Sequence, residues 1–301
     1  MIKNVKVTNY LGLSITLELG APEKSGFLVR EISGLGPAKA VINMSDLSND
    51  DGSVYNSARA YSRNIVMDLK FLEFPTIEDT RHKSYKYFPL KKKIKLTFTT
   101  DNRVCEVYGY VESNEPNIFS KAEATQVSIV CPSPYFNSLS DYLTIFYGVE
   151  DLFEFPFSNE SLTENLIEFG NIQNKTENVV HYTGDAKVGI LITMRATGPA
   201  DNVTIYNLGT RESMTLNTVR IATLTGDGII AGDEIYISTV KGDKYVILFR
   251  DGEFINILNA IDRYADWFQL SKGDNIFAYT ADYGITNLQF KITNKILYEG
   301  I

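Results

Sequence analysis

The stretch that decides the fold is Gln126–Phe136, QVSIVCPSPYF, in which a strand pattern stops abruptly. Apolar side chains recur at every second position from Val127 to Cys131, the spacing of a half-buried strand. Pro132 and Pro134 then arrive within three residues, and proline lacks the N–H that a strand ladder needs. We interpret this stop as the end of a domain.

The same alternation recurs along most of the chain and predicts a mainly β protein. Closely spaced Gly-Asp and Asp-Gly turns in the second half favour a β-sandwich. One helix is predicted from Thr76 to Tyr87, with Thr76 as its N-cap and two acidic residues in its first turn. A second, short helix is predicted from Ile257 to Tyr264. The alternating core faces are Ile65/Met67/Leu69/Phe71, Ile94/Leu96/Phe98, Val188/Ile190/Ile192/Met194 and Leu288/Phe290/Ile292.

The charge distribution supports two domains, residues 1–136 and 137–301. The first carries 17 Lys and Arg against 15 Asp and Glu, a net charge of +2, and the second carries 12 against 22, or −10. The polar stretch NSLSDY, 137–142, is a plausible connector. The acidic second half disfavours a nucleic-acid-binding protein and an anionic membrane surface as partner. No apolar run is long enough to span a bilayer, and no secretory signal is recognisable, so we expect a chain made in a cytoplasm.

A polar segment, NMSDLSNDDGSVYN at 43–56, interrupts the alternation of the first half. Asp51-Gly52 near its middle is a hairpin-turn signal. The segment has little to bury, so it is either a mobile surface loop or an arm that lies on a partner. The candidate arm residues are Asn43, Asp46, Asp51, Gly52 and Tyr55, within an arm of residues 43–60.

The sequence contains no recognisable catalytic or metal-binding motif. The glycine-containing SGLGPA at 33–38 has no third glycine at the dinucleotide-binding position, and G-x-S-x-G, H-E-x-x-H and C-x-x-C are missing. Cys105 and Cys131 lie in apolar strand patterns and are interpreted as buried free thiols. We therefore expect no enzyme, no cofactor and no metal site.

Two further features have alternative readings. The acidic pairs Asp50-Asp51 and Asp233-Glu234 could belong to a calcium or glycosidase site, but solvated turns explain them better. Trp267, the only tryptophan, could stack on a sugar ring, although core packing is favoured by its apolar neighbours.

In the order of these features the chain resembles the distal tail protein (Dit) family of long-tailed bacteriophages, within the broad phage tail component family. The resemblance runs through a series of motifs rather than one signature. These are EISGLGPAKAVIN, DGSVYNSARAYSRNIVMDLKF, the helix with Arg81, GYVESNEPNIF and VSIVCPSPYF in the first half, and WFQLSKGDNIFAY and NLQFKI in the second.

The resemblance implies an N-terminal β-sandwich-like ring-forming domain with one helix and a protruding hairpin, followed by a C-terminal galectin-like β-sandwich. It implies a structural baseplate hub at the tail tip of a virion or prophage, assembled in the host cytoplasm. Its partners would be itself as a homohexamer, the tail tube protein and the tail-tip or baseplate proteins. DNA would pass only as cargo through the channel, and no membrane would be bound. The alternative is a carbohydrate-binding host-recognition protein that uses the C-terminal sandwich and Trp267.

Overall fold

The computed structural model describes residues 1–48, 51–120, 122–151 and 170–301. These residues are mainly in β-strands and form two compact units. Unit 1 comprises Met1–Leu139 together with Leu297–Ile301, and unit 2 comprises Ser140–Ile296. The mainly β fold class expected from the alternation is confirmed.

Unit 1 contains the first ten strands, the first helix and a strand from the end of the chain. The strands are β1 Ile2–Thr8, β2 Ser14–Glu18, β3 Phe27–Ser33, β4 Ala40–Asp46, β5 Ser53–Ala60, β6 Arg63–Phe71, β7 Lys93–Thr100, β8 Val104–Pro116, β9 Ala124–Cys131, β10 Phe136–Ser138 and β25 Leu297–Tyr298. The helix is α1 Ile77–Tyr87, and Pro22–Lys24 form a short 3₁₀ helix.

A nine-stranded antiparallel sheet organises unit 1. Its main path runs β2-β1-β7-β8-β9-β6-β3, and β10 joins it by pairing with both β8 and β25. The predicted alternating faces point into one core, in which Ile65, Met67, Leu96 and Phe98 are fully buried. Cys105 and Cys131 are buried free thiols in the same core, as expected.

Helix α1 begins where its N-cap was predicted. The Thr76 Oγ1 atom accepts a hydrogen bond from the Asp79 backbone N–H at 3.1 Å, which satisfies one of the free donors of the first turn. Arg81, two residues after Asp79, forms an ion pair with Glu123, with 3.0 Å between its Nη1 and the Glu123 Oε2. The helix is thus held to the segment that leads into β9.

The Cys-Pro-Ser-Pro-Tyr-Phe stop has a definite structural outcome. After Cys131 the chain turns, and Phe136 enters the core, where its ring packs edge-on against Phe98 at 5.7 Å. Residues 136–138 form β10, to which the late strand β25 pairs through Phe136 and Asn137. The final residues, 297–301, therefore complete unit 1 after the chain has passed through unit 2.

Unit 2 contains two larger sheets that pack on each other. The six-stranded sheet runs β11-β24-β16-β19-β20-β21, and the four-stranded sheet runs β14-β23-β17-β18. Tyr279 of β23 stacks on Phe290 of β24 at 4.0 Å, and its hydroxyl donates to the Leu288 carbonyl oxygen, so the sheets meet face to face. The elements are β11 Tyr142–Ile145, β12 Tyr147–Asp151, β13 Gly170–Asn174, β14 Glu177–Tyr182, β15 Val188–Gly189, β16 Leu191–Ala196, β17 Val203–Asn207, β18 Glu212–Leu216, α2 Thr218–Thr225, β19 Glu234–Ser238, β20 Tyr245–Arg250, β21 Glu253–Asn256, β22 Gln269–Leu270, β23 Gly273–Thr280 and β24 Leu288–Asn294.

The prediction of a helix from Ile257 to Tyr264 was wrong. Only Leu258–Ala260 form a single 3₁₀ turn there, because the Ile257 N–H bonds to Val246 and the Asp262 N–H bonds to Thr215 on neighbouring strands. The second helix is α2, which Asn217 caps by accepting from the Arg220 N–H at 3.0 Å.

No helix within the described ranges has the length and apolarity needed to cross a bilayer.

Candidate functional site

The segment singled out as a candidate arm forms an exposed hairpin. Strands β4 and β5 pair from Ala40↔Ala60 to Asp46↔Ser53 and make a two-stranded sheet of their own. Every residue of β5 is exposed, and in β4 only Val41 is partly buried. A hairpin with both outer edges and both faces open gains little from its own domain, so its regular structure calls for another explanation. We call residues 43–60 the arm.

The tip of the arm is longer than a two-residue turn. Six residues, 47–52, connect the strands, and Asn49 and Asp50 lie outside the described residues. The expected turn pair Asp51-Gly52 is at the end of this connection, where Gly52 has a φ of +107° and its carbonyl oxygen accepts from the Leu47 N–H at 3.3 Å. Asp46 closes the tip by accepting from the Ser53 hydroxyl at 2.9 Å.

A β-bulge gives the arm two chemically different sides. The register shifts so that Tyr55, rather than Asn56, lies opposite Met44. Because directly paired residues share a face, Met44, Tyr55 and Ala58 form one apolar side of the arm together with Ile42, which directly precedes the arm; we call these four residues the apolar stripe. Ile42, Met44 and Tyr55 are 56%, 59% and 62% exposed.

The opposite side of the arm carries a ladder of polar side chains, together with Val54, which pairs with Ser45 and is 50% exposed. Asn43 donates to the Ser57 hydroxyl at 3.0 Å, and Asn56 donates to the Ser45 hydroxyl at 2.6 Å. These bonds hold the two strands together without burying apolar surface. The candidate residues Asn43, Asp46 and Tyr55 are therefore brought into one hairpin, with Asn43 in the ladder and Tyr55 in the stripe.

Arg63, the first residue of β6, fixes the root of the arm. Its guanidinium is only 3% exposed and lies over the Phe136 ring, 4.2 Å from the ring centroid. Its hydrogen bonds go to main-chain carbonyl oxygens on three separate segments, and burial lowers its pKa. The acceptors are Gly34 and Gly36 before the arm, Pro134 in the proline turn at 2.9 Å from Nε and 2.7 Å from Nη2, and Glu299 near the end of unit 1. We call this set the Arg63 anchor.

Gly34 is required at the root for a steric reason. Its φ is +82°, and a Cβ at this position would lie 2.0 Å from the Asn64 carbonyl oxygen. Only glycine permits such a close approach of the two chain segments that enter and leave the arm. The SGLGPA stretch, which is no phosphate-binding loop, is therefore the backbone support of the hairpin.

Trp267 lies in unit 2 and is partly buried. The Lys244 ammonium is 4.9 Å from the centroid of its ring, so a cation already covers one face. The next residue, Phe268, is fully buried and packs edge-on against Phe277. Trp267 as a sugar contact stays a prediction.

The interpretation of Asp233-Glu234 as a solvated turn was wrong. Asp233 is 1% exposed and forms a bidentate ion pair with Arg250. The Arg250 Nε donates to Oδ1 at 2.7 Å, and Nη2 donates to Oδ2 at 2.6 Å. Its Oδ2 atom also accepts from the Ile230 N–H at 2.9 Å, and the pairing raises the pKa of Arg250. Glu234 accepts from the Tyr236 hydroxyl and thereby raises the pKa of Tyr236 to about 12. These carboxylates stabilise unit 2.

No group of three or more His, Cys, Asp or Glu side chains is placed to hold a metal ion in the part of the chain that the structure describes. Burial raises the pKa of Cys105 to about 12 and that of Cys131 to about 11, so neither is an activated nucleophile.

Comparison with known proteins gives one informative similarity. No model of a known protein family matches the sequence, and no curated protein does. The crystal structure of SPP1 Dit superposes with a TM-score of 0.67 over 97% of this chain and 98% of that one, at 12% identity. The chain is similar in fold to SPP1 Dit. SPP1 Dit is described as a paradigm of the hub adsorption apparatus in Gram-positive-infecting phages.

The similarity to SPP1 Dit extends over both units rather than one, because nearly all of each chain is covered. Chains of the phage P2 baseplate, in its activated conformations with Ca and with Sr, have TM-scores of 0.48 and 0.44 at 10% identity. They cover 100% and 96% of this chain, respectively.

Proposed function

We propose that the chain is a structural hub of a phage tail tip or baseplate. The observation that carries the proposal is the fold shared with SPP1 Dit along nearly the whole chain. A second observation is the exposed arm, whose strand β5 is exposed at every residue. The hub joins the tail tube to the tail-tip proteins as a hexameric ring with a channel for DNA. No catalytic step, cofactor or metal takes part, and the protein resides in the virion after assembly in the host cytoplasm.

The ring is formed by unit 1, and the arm is its connecting element. An exposed strand pair with apolar side chains on one face is a ready docking surface for another chain. When each subunit contributes the same contact, a modest interface is repeated around a closed ring and its effect accumulates. The arm therefore embraces unit 1 of the adjacent subunit. Unit 2, we propose, is a galectin-like sandwich.

Deleting residues 46–56 and joining the ends with a short turn tests this role. The variant should fold like the parent, since the deleted residues that the structure describes, 46–48 and 51–56, are all exposed. It should form neither rings nor tails, because the connecting element is gone. Sedimentation velocity and electron micrographs, of the purified chain and of tails assembled with it, measure the loss. Normal tails from the deletion variant would reduce the arm to a surface loop.

Point variants make the test sharper and have a matched control on the same hairpin. The triple change Ile42→Ser, Met44→Ser and Tyr55→Ser removes the apolar stripe and should also prevent assembly. The control Asn43→Ala with Asn56→Ala alters only the opposite, polar side and should assemble. Equal loss in both variants would show that hairpin structure, rather than the stripe, is what matters.

Sugar binding through unit 2 is a separate question, and we expect none. Lys244 covers one face of Trp267 and Phe268 is committed to the core, so packing explains this region. A glycan array with host cell-wall polysaccharides should therefore give no specific signal. Saturable binding that Trp267→Ala abolishes in a folded protein would favour host recognition instead.

A further inference from the structure

The turn between β1 and β2 is a second exposed apolar feature of unit 1. It comprises Asn9–Leu13, NYLGL, and we call it the receiving turn. It displays Tyr10, Leu11 and Leu13 at 53%, 63% and 42% exposure. Three large exposed apolar side chains within four residues of one turn are unusual on a free surface and are typical of an interface.

The side chain of Asn9 braces the receiving turn through three hydrogen bonds. Its side chain is buried, and its Oδ1 atom accepts from the Leu11 and Leu13 N–H groups at 3.0 and 3.1 Å. Its Nδ2 group donates to the Lys86 carbonyl oxygen at 2.9 Å, which ties the turn to the end of α1. The apolar side chains are thus presented by a rigid support, so little conformational entropy is lost when a partner binds.

Two lysines adjoin the receiving turn. Lys86, whose carbonyl oxygen accepts from Asn9, and Lys92 are both exposed, and the Lys92 ammonium is 5.3 Å from the centroid of the Tyr10 ring. The described part of the arm's tip has the opposite charge, with Asp46 and Asp51, and the sequence from 43 to 56 contains no cationic residue. The two surfaces match in both apolar character and charge, which favours a specific and correctly oriented encounter.

The two surfaces are attached at different places along the nine-stranded sheet. The arm connects β3 and β6, and the receiving turn connects β1 and β2. Strands β7, β8 and β9 lie between β1 and β6 in the sheet, although the terminal strands β2 and β3 also contact each other. Different patches on one subunit are what a head-to-tail ring requires, since each copy can give at one patch and receive at the other.

We propose that the receiving turn of one copy binds the apolar stripe of the arm of a second copy. The inference rests on the proposed ring and specifies where its arm docks. Tyr55 and Met44 pack on Leu11 and Leu13, and the aspartates of the tip approach Lys86 and Lys92. A seven-residue strand such as β4 extends roughly 23 Å, so the arm projects well beyond a single side-chain length toward a second copy.

A cysteine pair tests this contact directly. The full-length chain carries Tyr55→Cys in the arm and Leu11→Cys in the receiving turn, and is oxidised with copper phenanthroline. The native thiols do not interfere, because both are fully buried. The control joins Tyr55→Cys with Asn102→Cys, which is also exposed but lies in the turn between β7 and β8.

The experiment is run on the purified chain at high concentration and on assembled tails, with non-reducing gels as readout. The expected result is a ladder of covalent oligomers for the test pair and at least tenfold less product for the control. If assemblies form but the test pair gives no covalent oligomers, or if the control cross-links equally well, the docking site is wrong while the proposed ring still stands. A chain that assembles in neither setting overturns the ring, and the docking site with it.

Discussion

Replacing Arg63 with leucine is expected to lower the free energy of unfolding of unit 1 by about 3–5 kcal/mol. The change removes one buried cation and leaves the carbonyl oxygens of Gly34, Gly36, Pro134 and Glu299 short of a donor. Lysine at this position should restore little, since a single ammonium cannot reproduce the planar fork that reaches three segments. Because the root of the arm loosens, assembly should fail as well.

Hydrogen exchange measured by mass spectrometry separates the two units in this test. Peptides from β6 and β9 should lose protection, while the fluorescence of Trp267, the only tryptophan, reports unit 2 independently. The matched control is Arg59→Leu, an arginine exposed on β5, for which a change within about 0.5 kcal/mol is expected. Equal effects of the two substitutions would mean that the Arg63 anchor does not hold the arm.

Replacing Asp233 with alanine should destabilise unit 2 by about 3–5 kcal/mol, because it leaves the Arg250 guanidinium buried without its carboxylate. The two side chains are 1% and 9% exposed, and the Ile230 N–H loses its acceptor in addition. Urea unfolding followed by Trp267 fluorescence measures the loss within the affected unit.

The chain contains a closely matched control for this change. Asp243, like Asp233, follows a glycine of positive φ in a Gly-Asp turn, but it is exposed. Asp243→Ala should therefore shift the unfolding free energy by less than about 0.5 kcal/mol. If both alanine variants unfolded alike, the ion pair would contribute no more than an ordinary turn.

The strand faces and α1 could be predicted from sequence because their signals are local. Period-2 alternation places Ile65, Met67 and Leu69 on one face whatever the partner strand is, and all three are buried. The cap of α1 depends on two residues three positions apart, Thr76 and Asp79. Such patterns need no knowledge of the rest of the chain.

The determinants of the arm could not be predicted because they are non-local. The carbonyl oxygens to which Arg63 donates lie 27 to 236 positions away in the sequence, and no residue next to Arg63 indicates these partners. The polar composition of 43–56 suggested a hairpin with little to bury. The apolar stripe emerged only from the bulge, which turns Tyr55 toward Met44.

The Gly-Asp turn at 232–233 was misread for a similar reason. Its residues are indistinguishable in type from those of the exposed turn at 242–243, and only the approach of Arg250 from β20 decides which carboxylate is buried. Helix α2 was missed because the segment around it, rich in threonine and isoleucine, has β propensity.

The late return of the chain into unit 1 has a consequence for biosynthesis. Residues 297–301 include Glu299, which accepts from Arg63, and β25, which pairs with β10. The ribosome makes them only after all of unit 2 has been translated. A nascent chain therefore carries its arm on an unfinished root, and the Arg63 anchor closes only when these last residues have emerged. If the proposed ring forms through the arm, such timing keeps polysome-bound chains from joining one another prematurely.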